Sequence, residues 1–378
     1  MRYVSSGHSH GEQITIILEG LPSNLEVSLE AINKALKERQ LGYGRGSRMK
    51  IEADEAEISS GVLFGKTTGA PLTIVVKNKD YLNHKSYMDP FNFTKDFVQK
   101  ITIPRPGHAD LVGAIKYNQD DMRVIFERAS ARETVSRVAV GAICSQILNQ
   151  LAIKARSFVK NIGKVEIEAD YDPNYIELSA LRMPSKLATE KAISLIDEAQ
   201  KNQDTLGGTC QVEVDNVPVG LGSYVSYDKK LDARIAQALL SIQACKGVEF
   251  GDGFALTEKF GSEVHDEIIY QEGFRRSSNH YGGFEGGMTN GMPLILRAAF
   301  KPIPTLMKPL KSVDIKTKQT TLSHIERSDI CVLPAASIIC MYTVIYEITK
   351  ALCEMFTANT MESLIQAVES YREYVKRF

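Results

Sequence analysis

This 378-residue sequence has no closely spaced cysteine pair and a net charge of only −1. The six cysteines are scattered and form no C-x-x-C motif. That pattern is typical of reduced, mostly buried thiols in a cytoplasmic protein and argues against disulfide staples or cysteine-bound zinc. The 45 basic residues nearly balance the 46 acidic ones, which argues against a general nucleic-acid or membrane binder. An anion-binding site would therefore require a local cluster of arginines.

Targeting segments and standard nucleotide motifs are also missing. The first residues, MRYVSSGHSHGEQ, lack the apolar core of a signal peptide, and we expect no apolar run that approaches the roughly 20 residues that span a bilayer. No G-x-G-x-x-G occurs, so a Rossmann dinucleotide site has no support. Gly61–Thr67 (GVLFGKT) is similar to a P-loop, but only three residues separate its glycines and Ser60 occupies the position that requires glycine. We therefore expect neither kind of nucleotide site.

The apolar pattern predicts an α+β fold, because strands and helices are interspersed without a regular βαβ rhythm. Ala131–Ile153 is apolar nearly all round, which predicts a helix buried on several sides and a helical layer covered by sheets. The other predicted helices are one with Leu25, Leu29, Ile32 and Leu36 on a single face, Leu187–Lys201, Leu231–Ala244, Pro334–Phe356 and Met361–Phe378. The predicted strands are Gln13–Glu19, Pro71–Lys77, Lys164–Ala169, Gly208–Tyr227 and Pro293–Phe300.

The segment Arg275–Thr305 has the composition of a ligand-binding loop. It places paired arginines, paired serines, an Asn-His pair and repeated glycines ahead of a strand-like run. Glycine lets the backbone approach a flat or anionic ligand, and arginine and serine donate hydrogen bonds to phosphate or carbonyl oxygens. The alternative interpretation is a mobile surface loop.

Two histidine-containing segments suggest chemistry. On a strand, His8 and His10 would point the same way. A metal ion needs a third and usually a fourth ligand, which His108 and Asp110 could supply only if the fold brought them close. At this point the alternatives are a metal site, a general acid or base, and a polar histidine without chemistry.

Arginines cluster at three places that could bind an anion. One cluster lies on a glycine-rich loop and is typical of a phosphate or carboxylate clamp, although a solvated basic loop has the same composition. In the second, a rigid Pro-Gly turn presents an arginine and a histidine. The third surrounds the start of the buried helix, where an anionic ligand would pair the guanidiniums and suit the helix dipole. The clusters are Arg39, Arg45 and Arg48; Arg105 with His108; and Arg123, Arg128, Arg132 and Arg137.

Eight segments, taken in order along nearly the whole chain, resemble the signatures of the chorismate synthase family. Three positions depart from the family pattern: His8 replaces an acidic residue, Ser328 stands where many members have His, and Ile330 where many have Pro. The segments are Gly7–Gly11 (GHSHG), Gln40–Lys50 (QLGYGRGSRMK), Ser60–Pro71 (SGVLFGKTTGAP), Arg105–Asp110 (RPGHAD), Arg128–Ala142 (RASARETVSRVAVGA), Lys246–Gly251 (KGVEFG), Arg275–Thr305 and Arg327–Pro334 (RSDICVLP).

The resemblance implies a fold, a reaction and a cofactor. The fold would be a β-α-β sandwich forming one domain over residues 1–378 and assembled as a homotetramer. The reaction would be the anti-1,4-elimination of phosphate from 5-enolpyruvylshikimate 3-phosphate to give chorismate, the last step of the shikimate pathway. It has no net redox change but requires reduced FMN, which supplies electron density to the substrate and recovers it. Some members reduce FMN with NADPH; no separate nicotinamide domain is visible here, which favours an external flavin reductase.

The resemblance also implies roles for individual residues. His10 is similar to the histidine that protonates the departing phosphate, His108 to the one that protonates reduced flavin near N1, and Asp329 to the aspartate that helps flavin N5 take up the ring proton. The implied substrate-binding residues are Ser9, Arg39, Arg45, Arg48, Arg105 and Arg132. The implied FMN-binding residues are Arg128, Ala129, Ser130, Gln243, Ala244, Gly286, Lys301, Pro302, Ile303, Pro304, Thr305 and Arg327.

Three rival functions are weighed against this one. The first is a metal-dependent phosphohydrolase that would use His8, His10, His108 and Asp110. The second is a non-catalytic FMN-binding protein, which the presence of His10, His108 and Asp329 disfavours. The third is a flavin oxidoreductase with net electron transfer, which the missing Rossmann fingerprint weakens.

Overall fold

The computed structural model describes residues 1–46, 54–93, 99–326 and 328–378. The helices are α1 Leu29–Gln40, α2 Tyr81–Met88, α3 Asp110–Tyr117, α4 Met122–Ala129, α5 Thr134–Gln150, α6 Lys186–Lys201, α7 Leu231–Leu240, α8 Gly261–Val264, α9 Leu333–Met355 and α10 Met361–Arg377. Helices α5 and α9 are long and largely buried, whereas α6 and α10 are long but only partly buried, and several others are short.

The strands form two larger antiparallel sheets and several two-stranded hairpins. One sheet has the order β1-β2-β6-β3 and the other the order β10-β15-β9-β7-β8. The strands are β1 Arg2–Ser6, β2 Gln13–Glu19, β3 Ala56–Ser60, β4 Val62–Leu63, β5 Lys66–Thr67, β6 Leu72–Lys77, β7 Lys154–Ile162, β8 Val165–Glu166, β9 Gly208–Asp215, β10 Cys245–Phe250, β11 Ile268–Tyr270, β12 Phe274–Arg276, β13 Phe284–Glu285, β14 Met288–Thr289, β15 Leu294–Phe300, β16 Lys311–Val313 and β17 Thr320–Leu322.

A helical layer separates the two larger sheets. Helices α1 and α5 pack on the first sheet, α7 and α9 pack on the second, and α5 packs along α9. Close contact between α5 and α9 depends on Gly141, since a Cβ there would lie 2.4 Å from the backbone oxygen of Tyr342. This arrangement confirms the predicted α+β sandwich with helices between sheets.

Most predicted elements are present, with differences at their ends. The apolar segment predicted over Ala131–Ile153 divides into a 3₁₀ turn, Ala131–Glu133, followed by α5. The alternation predicted over Gly208–Tyr227 was wrong beyond Asp215, because β9 ends there and turns follow. The strand predicted over Lys164–Ala169 shortens to the two residues of β8.

The expectation about apolar length was also wrong. Helix α9 has 23 residues and is long and apolar enough to cross a bilayer by composition alone. It is mostly buried, because both of its flanks pack against α5, α7 and the second sheet. Its apolar length is thus explained by its place in the core. All six cysteines are free, and all but the intermediate Cys353 are buried, as predicted.

Candidate active site

The loop between β1 and β2 carries the first predicted site residues. The backbone N–H of Ser9 donates to the carbonyl oxygen of Glu127 at 2.7 Å. The Ser9 hydroxyl donates to Ser130 Oγ at 3.0 Å. On the other side, the Asn78 amide donates to the carbonyl oxygen of Gly11 at 2.9 Å. The loop is therefore held between the C-terminal end of α4 and the segment that follows β6.

His10 is paired with a buried carboxylate. Its backbone N–H donates to Glu127 Oε2 at 2.8 Å, and its Nδ1 lies 2.6 Å from Glu127 Oε1. Only 4% of the Glu127 side chain is exposed. Burial by itself would raise the pKa of Glu127, but the bonds from His10 outweigh burial and leave that pKa below its usual value. Glu127 is accordingly a carboxylate at neutral pH.

A second histidine packs against His10. The His84 ring lies 4.4 Å from the His10 ring, centroid to centroid, and is tilted by 50°. Its Nε2 lies 2.8 Å from Oδ2 of Asp80, the N-cap residue of α2, and its Nδ1 contacts the Tyr87 hydroxyl. The His10 side of the site thus contains two imidazoles, each paired with its own carboxylate.

Two of the predicted arginines meet on one buried aspartate. Arg39, at the end of α1, donates to Asp54 Oδ2 at 2.8 Å and to the Thr134 hydroxyl at 3.2 Å. Arg132 lies 3.1 Å from Asp54 Oδ1. Arg39 Nε is buried and has no hydrogen-bond partner within the described ranges. Because two buried guanidiniums share one carboxylate, this cluster carries an excess of positive charge.

Arg105, His108 and Asp110 form a second charge cluster. Asp110 begins α3, and its carboxylate accepts from Arg105 Nε at 2.9 Å and lies 2.6 Å from His108 Nδ1. Arg105 also donates to Glu326 at 2.8 Å and to Thr305 Oγ1 at 3.3 Å. Burial opposes ionisation of Asp110, but His108 and Arg105 together hold its pKa far below the usual range.

Asp329 lies at a third cluster, on the glycine-rich loop. The backbone N–H of Gly46 donates to its Oδ1 at 2.6 Å, and Arg45 Nη1 lies 3.4 Å from its Oδ2. The backbone N–H of Ile330 donates to the Gly44 carbonyl oxygen at 2.8 Å. The loop and the Asp329 segment are therefore joined through both backbone and side chains, although nearly 300 residues apart.

Helix α4 lies between the His10–Glu127 pair and the cluster of Arg105, His108 and Asp110. Consecutive residues face them: the Arg105 guanidinium lies over the Phe126 ring at 5.1 Å, and Glu127 binds His10. The aromatic ring of the cation–π contact and the carboxylate thus come from one short helix, which contacts both the His10 and the His108 clusters.

The predicted FMN residues fall into separate groups. The Lys301 backbone N–H donates to the Ala244 carbonyl oxygen at 3.0 Å, and Lys301 Nζ donates to the Gly107 carbonyl oxygen at 2.6 Å. Arg128 instead donates to the Ser5 and Gly7 carbonyl oxygens. The first group also contains Gln243, Pro302, Ile303, Pro304 and Thr305, and Thr305 Oγ1 accepts a hydrogen bond from Arg105. Ala129 and Ser130 follow Arg128 beside the Ser9 loop, and Gly286 lies in the turn between β13 and β14.

Several sequence predictions are corrected or fall outside the described residues. Arg48 and Arg327 lie outside them. Arg123 and Arg137, predicted to await an anionic ligand at the start of the buried helix, contact protein groups instead: Arg123 lies over the Tyr87 ring, and Arg137 binds Glu133. Arg128 likewise binds backbone oxygens of the β1 end. All three guanidiniums thus have partners within the protein, and the FMN contact predicted for Arg128 stays a prediction.

The metal alternative gains no support. His8 is exposed, whereas His10 is turned toward Glu127. Within the described part of the chain, no group of three or more His, Cys, Asp or Glu residues could hold a metal ion.

Sequence analysis missed the acidic partners of the predicted cations and histidines. They are Glu127, Asp54, Asp80 and Glu326, together with His84. For Glu127 the available signal was its position directly before the Arg128–Ala142 signature. Asp54 and His84 are isolated in sequence and become recognisable only through the fold.

Comparison with known proteins gives a consistent result. The family model described as chorismate synthase matches residues 1–353. The chain is 51% identical to a chorismate synthase of Staphylococcus carnosus, covering 98% of each chain, and 48% identical to one of Enterococcus faecalis, covering 100% of each. A solved structure titled "Crystal Structure of Chorismate Synthase" superposes with a TM-score of 0.80 at 40% identity, covering 100% of this chain and 98% of that one.

Proposed function

The chain belongs to the chorismate synthase family, and we propose that His10, His108 and Asp329 manage the protons of its reaction. It is a carbon–oxygen lyase of the shikimate pathway that forms chorismate and phosphate from 5-enolpyruvylshikimate 3-phosphate. The assignment of individual residues below is our proposal.

The observation that carries the residue assignment is the junction between a cationic cluster and a histidine. Ser9, which precedes His10, donates to Ser130 Oγ at 3.0 Å, and that oxygen also accepts from the backbone N–H of Arg132 at 3.4 Å, so the histidine loop lies next to the Arg39–Asp54–Arg132 cluster. The substrate carries a phosphate and two carboxylates, which arginine binds with charge-assisted, often bidentate bonds. We therefore assign substrate binding to Ser9, Arg39, Arg45, Arg48, Arg105 and Arg132.

His10 is assigned as the acid that protonates the leaving phosphate. It lies on the loop beside the cationic cluster, and its Nδ1 lies 2.6 Å from a carboxylate oxygen of Glu127. A proton donor at this position stabilises charge that develops as the carbon–oxygen bond breaks.

His108 and Asp329 are assigned to the cofactor side. His108 lies in the turn that Lys301 contacts through Gly107, which places it beside the predicted flavin segment. Asp329 accepts a hydrogen bond from Gly46 and pairs with Arg45, so its carboxylate is held in one orientation beside a substrate-binding arginine. From there it would hold the proton that leaves the substrate ring.

The residues present fit a flavin. Gln243 Oε1 is a buried acceptor without a hydrogen-bond partner in the described ranges, and it suits an N–H donor of a flavin ring. Lys301 and Thr305 supply a cation and a hydroxyl beside it. Burial and the nearby Lys246 lower the pKa of Lys301, as expected for an amine that awaits an anionic partner. We propose that these residues hold FMN with Arg128, Ala129, Ser130, Ala244, Gly286, Pro302, Ile303, Pro304 and Arg327.

The bound reduced FMN would supply electron density to the substrate ring and regain it without net redox change. We further propose that an external flavin reductase reduces it, that the chain is cytoplasmic and that it assembles as a homotetramer. A single domain over residues 1–378 is supported by the main apolar core, which extends from the first sheet through α5 and α9 to α10, while α3 and α4 form a second, smaller apolar cluster.

The deciding experiment is an anaerobic product assay. Purified protein is mixed with FMN, dithionite and 5-enolpyruvylshikimate 3-phosphate, and both chorismate and phosphate are measured. We expect equal amounts of the two products, formed only with reduced flavin. Phosphate without chorismate would favour the phosphohydrolase, and neither product despite tight flavin binding would favour a non-catalytic flavoprotein.

A further inference from the structure

Glu127 makes three contacts with two consecutive residues of the histidine loop. Its carbonyl oxygen accepts the Ser9 N–H at 2.7 Å, its Oε2 accepts the His10 N–H at 2.8 Å, and its Oε1 lies 2.6 Å from His10 Nδ1. A residue needed only to neutralise a charge would not engage both the backbone and the ring of its neighbour. We propose that Glu127 is a positioning residue, which fixes the orientation and the tautomer of His10. This inference rests on the acid role proposed above for His10.

The chemistry of the contact sets the tautomer. An ionised carboxylate can only accept hydrogen bonds, and the bonds from His10 keep Glu127 ionised despite its burial. His10 Nδ1 must therefore carry the proton that Glu127 accepts. In the neutral ring, Nε2 is then the nitrogen that takes up a proton, and in the charged ring it is the nitrogen that releases one. The pairing follows the same logic as a carboxylate that orients a histidine in hydrolases.

The surroundings limit the ring to this arrangement. His84 packs against the other side of His10, backed by Asp80 and Tyr87. In the described structure these three ionisable groups lie around His10 together with Glu127 and the exposed His8. Glu127 differs from Asp80 because it alone also holds the His10 backbone. Removing its charge should therefore change the protonation of His10 and the turnover together.

The test compares Glu127→Gln with a matched control, Glu347→Gln. Glu347 is nearly as buried, with 12% of its side chain exposed, and pairs with Arg234 away from the site. Turnover is measured with reduced FMN, and the protonation midpoint of each histidine is measured without cofactor by hydrogen–deuterium exchange at the imidazole C2 position. The His10→Ala protein identifies the His10 signal, and His108 in the same protein is an internal reference.

We expect Glu127→Gln to lower kcat by about 10²-fold, the low end for loss of an acid catalyst, with KM within about twofold. The His10 midpoint should fall, since an opposite charge is lost, while the His108 midpoint stays unchanged. Glu347→Gln should change neither kcat nor either midpoint. Glu127→Asp, which keeps the charge on a shorter side chain, should retain the His10 midpoint and recover part of kcat.

A folded Glu127→Gln protein with unchanged kcat and an unchanged His10 midpoint would overturn the inference. If that variant fails to fold, the inference falls when Glu127→Asp shows a lowered His10 midpoint despite its charge. Failure of the proposed function is distinguishable, because His10→Ala would then retain turnover whatever Glu127 does. In that case the midpoint measurement alone decides whether Glu127 holds the ring.

Discussion

The His10 and His108 regions contain the same local pair in different electrostatic surroundings. In each, Nδ1 lies 2.6 Å from a buried carboxylate oxygen. Asp110, the partner of His108, also binds the Arg105 side chain, whereas Glu127, the partner of His10, uses its second oxygen for a backbone N–H. The Asp110 carboxylate thus binds both His108 and the permanently charged Arg105, whereas the Glu127 carboxylate binds His10 alone among the described residues.

The difference teaches that an imidazole–carboxylate contact does not define a role by itself. Arg105 is 5% exposed and needs its anionic partners, so Asp110 serves first as the counter-ion of a buried guanidinium. In the described structure the Glu127 carboxylate binds no arginine or lysine, so its role is to orient the His10 ring. We therefore expect loss of Asp110 to damage folding and loss of the His10 pair to damage chemistry.

The largest expected effect is on stability. Asp110→Asn should lower the free energy of unfolding by about 3–5 kcal/mol, because it leaves Arg105 short of a buried counter-ion. Glu127→Gln should lower it by only about 1 kcal/mol, the scale of an ordinary hydrogen bond. Denaturant unfolding monitored by circular dichroism measures both. Equal losses for the two variants would remove the distinction drawn between the two regions.

A second comparison concerns turnover. His10→Ala should retain FMN binding but lower turnover by about 10²-fold or more, as for loss of a general acid. The measurement is chorismate formation under reduced, anaerobic conditions, with flavin binding followed by fluorescence. His265→Ala, at an exposed histidine that contacts Tyr281, is the control and should retain full turnover. Near-normal turnover of the His10 variant would contradict the acid role.

The smallest expected effect is a pH dependence that belongs to Asp110. Its pKa is lowered in the folded protein, so its stabilising contribution is complete above the unfolded value of about 3.9 and is lost as pH falls through the lower folded value. The stability difference between the unmodified protein and Asp110→Asn should therefore shrink as pH falls below about 4. Urea unfolding at several pH values measures that difference. A difference that stays constant down to pH 3 would show that the Asp110 charge does not stabilise the fold.

The sequence predicted individual elements and motif residues well but not their partners. The buried α5, the amphipathic α6 and strand β2 followed from local periodicity, because one face or all faces of each must be apolar. His10, Arg39 and Arg105 were recognisable because they lie in short motifs. Glu127 and Asp54 were not, since nothing in an isolated carboxylate indicates which cation it will meet. The protein partners of Arg123, Arg128 and Arg137 were not recognisable for the same reason.

The sequence alone determined the family, the α+β class and which side chains could bind phosphate or move a proton, because these depend on residue type and short spacing. The tertiary structure alone decided which carboxylate each of those side chains meets. His10 finds Glu127 at a separation of 117 residues, and Gly46 finds Asp329 at 283. Such pairings depend on how helices and sheets pack, and packing is set by the whole core and not by any local stretch of chain.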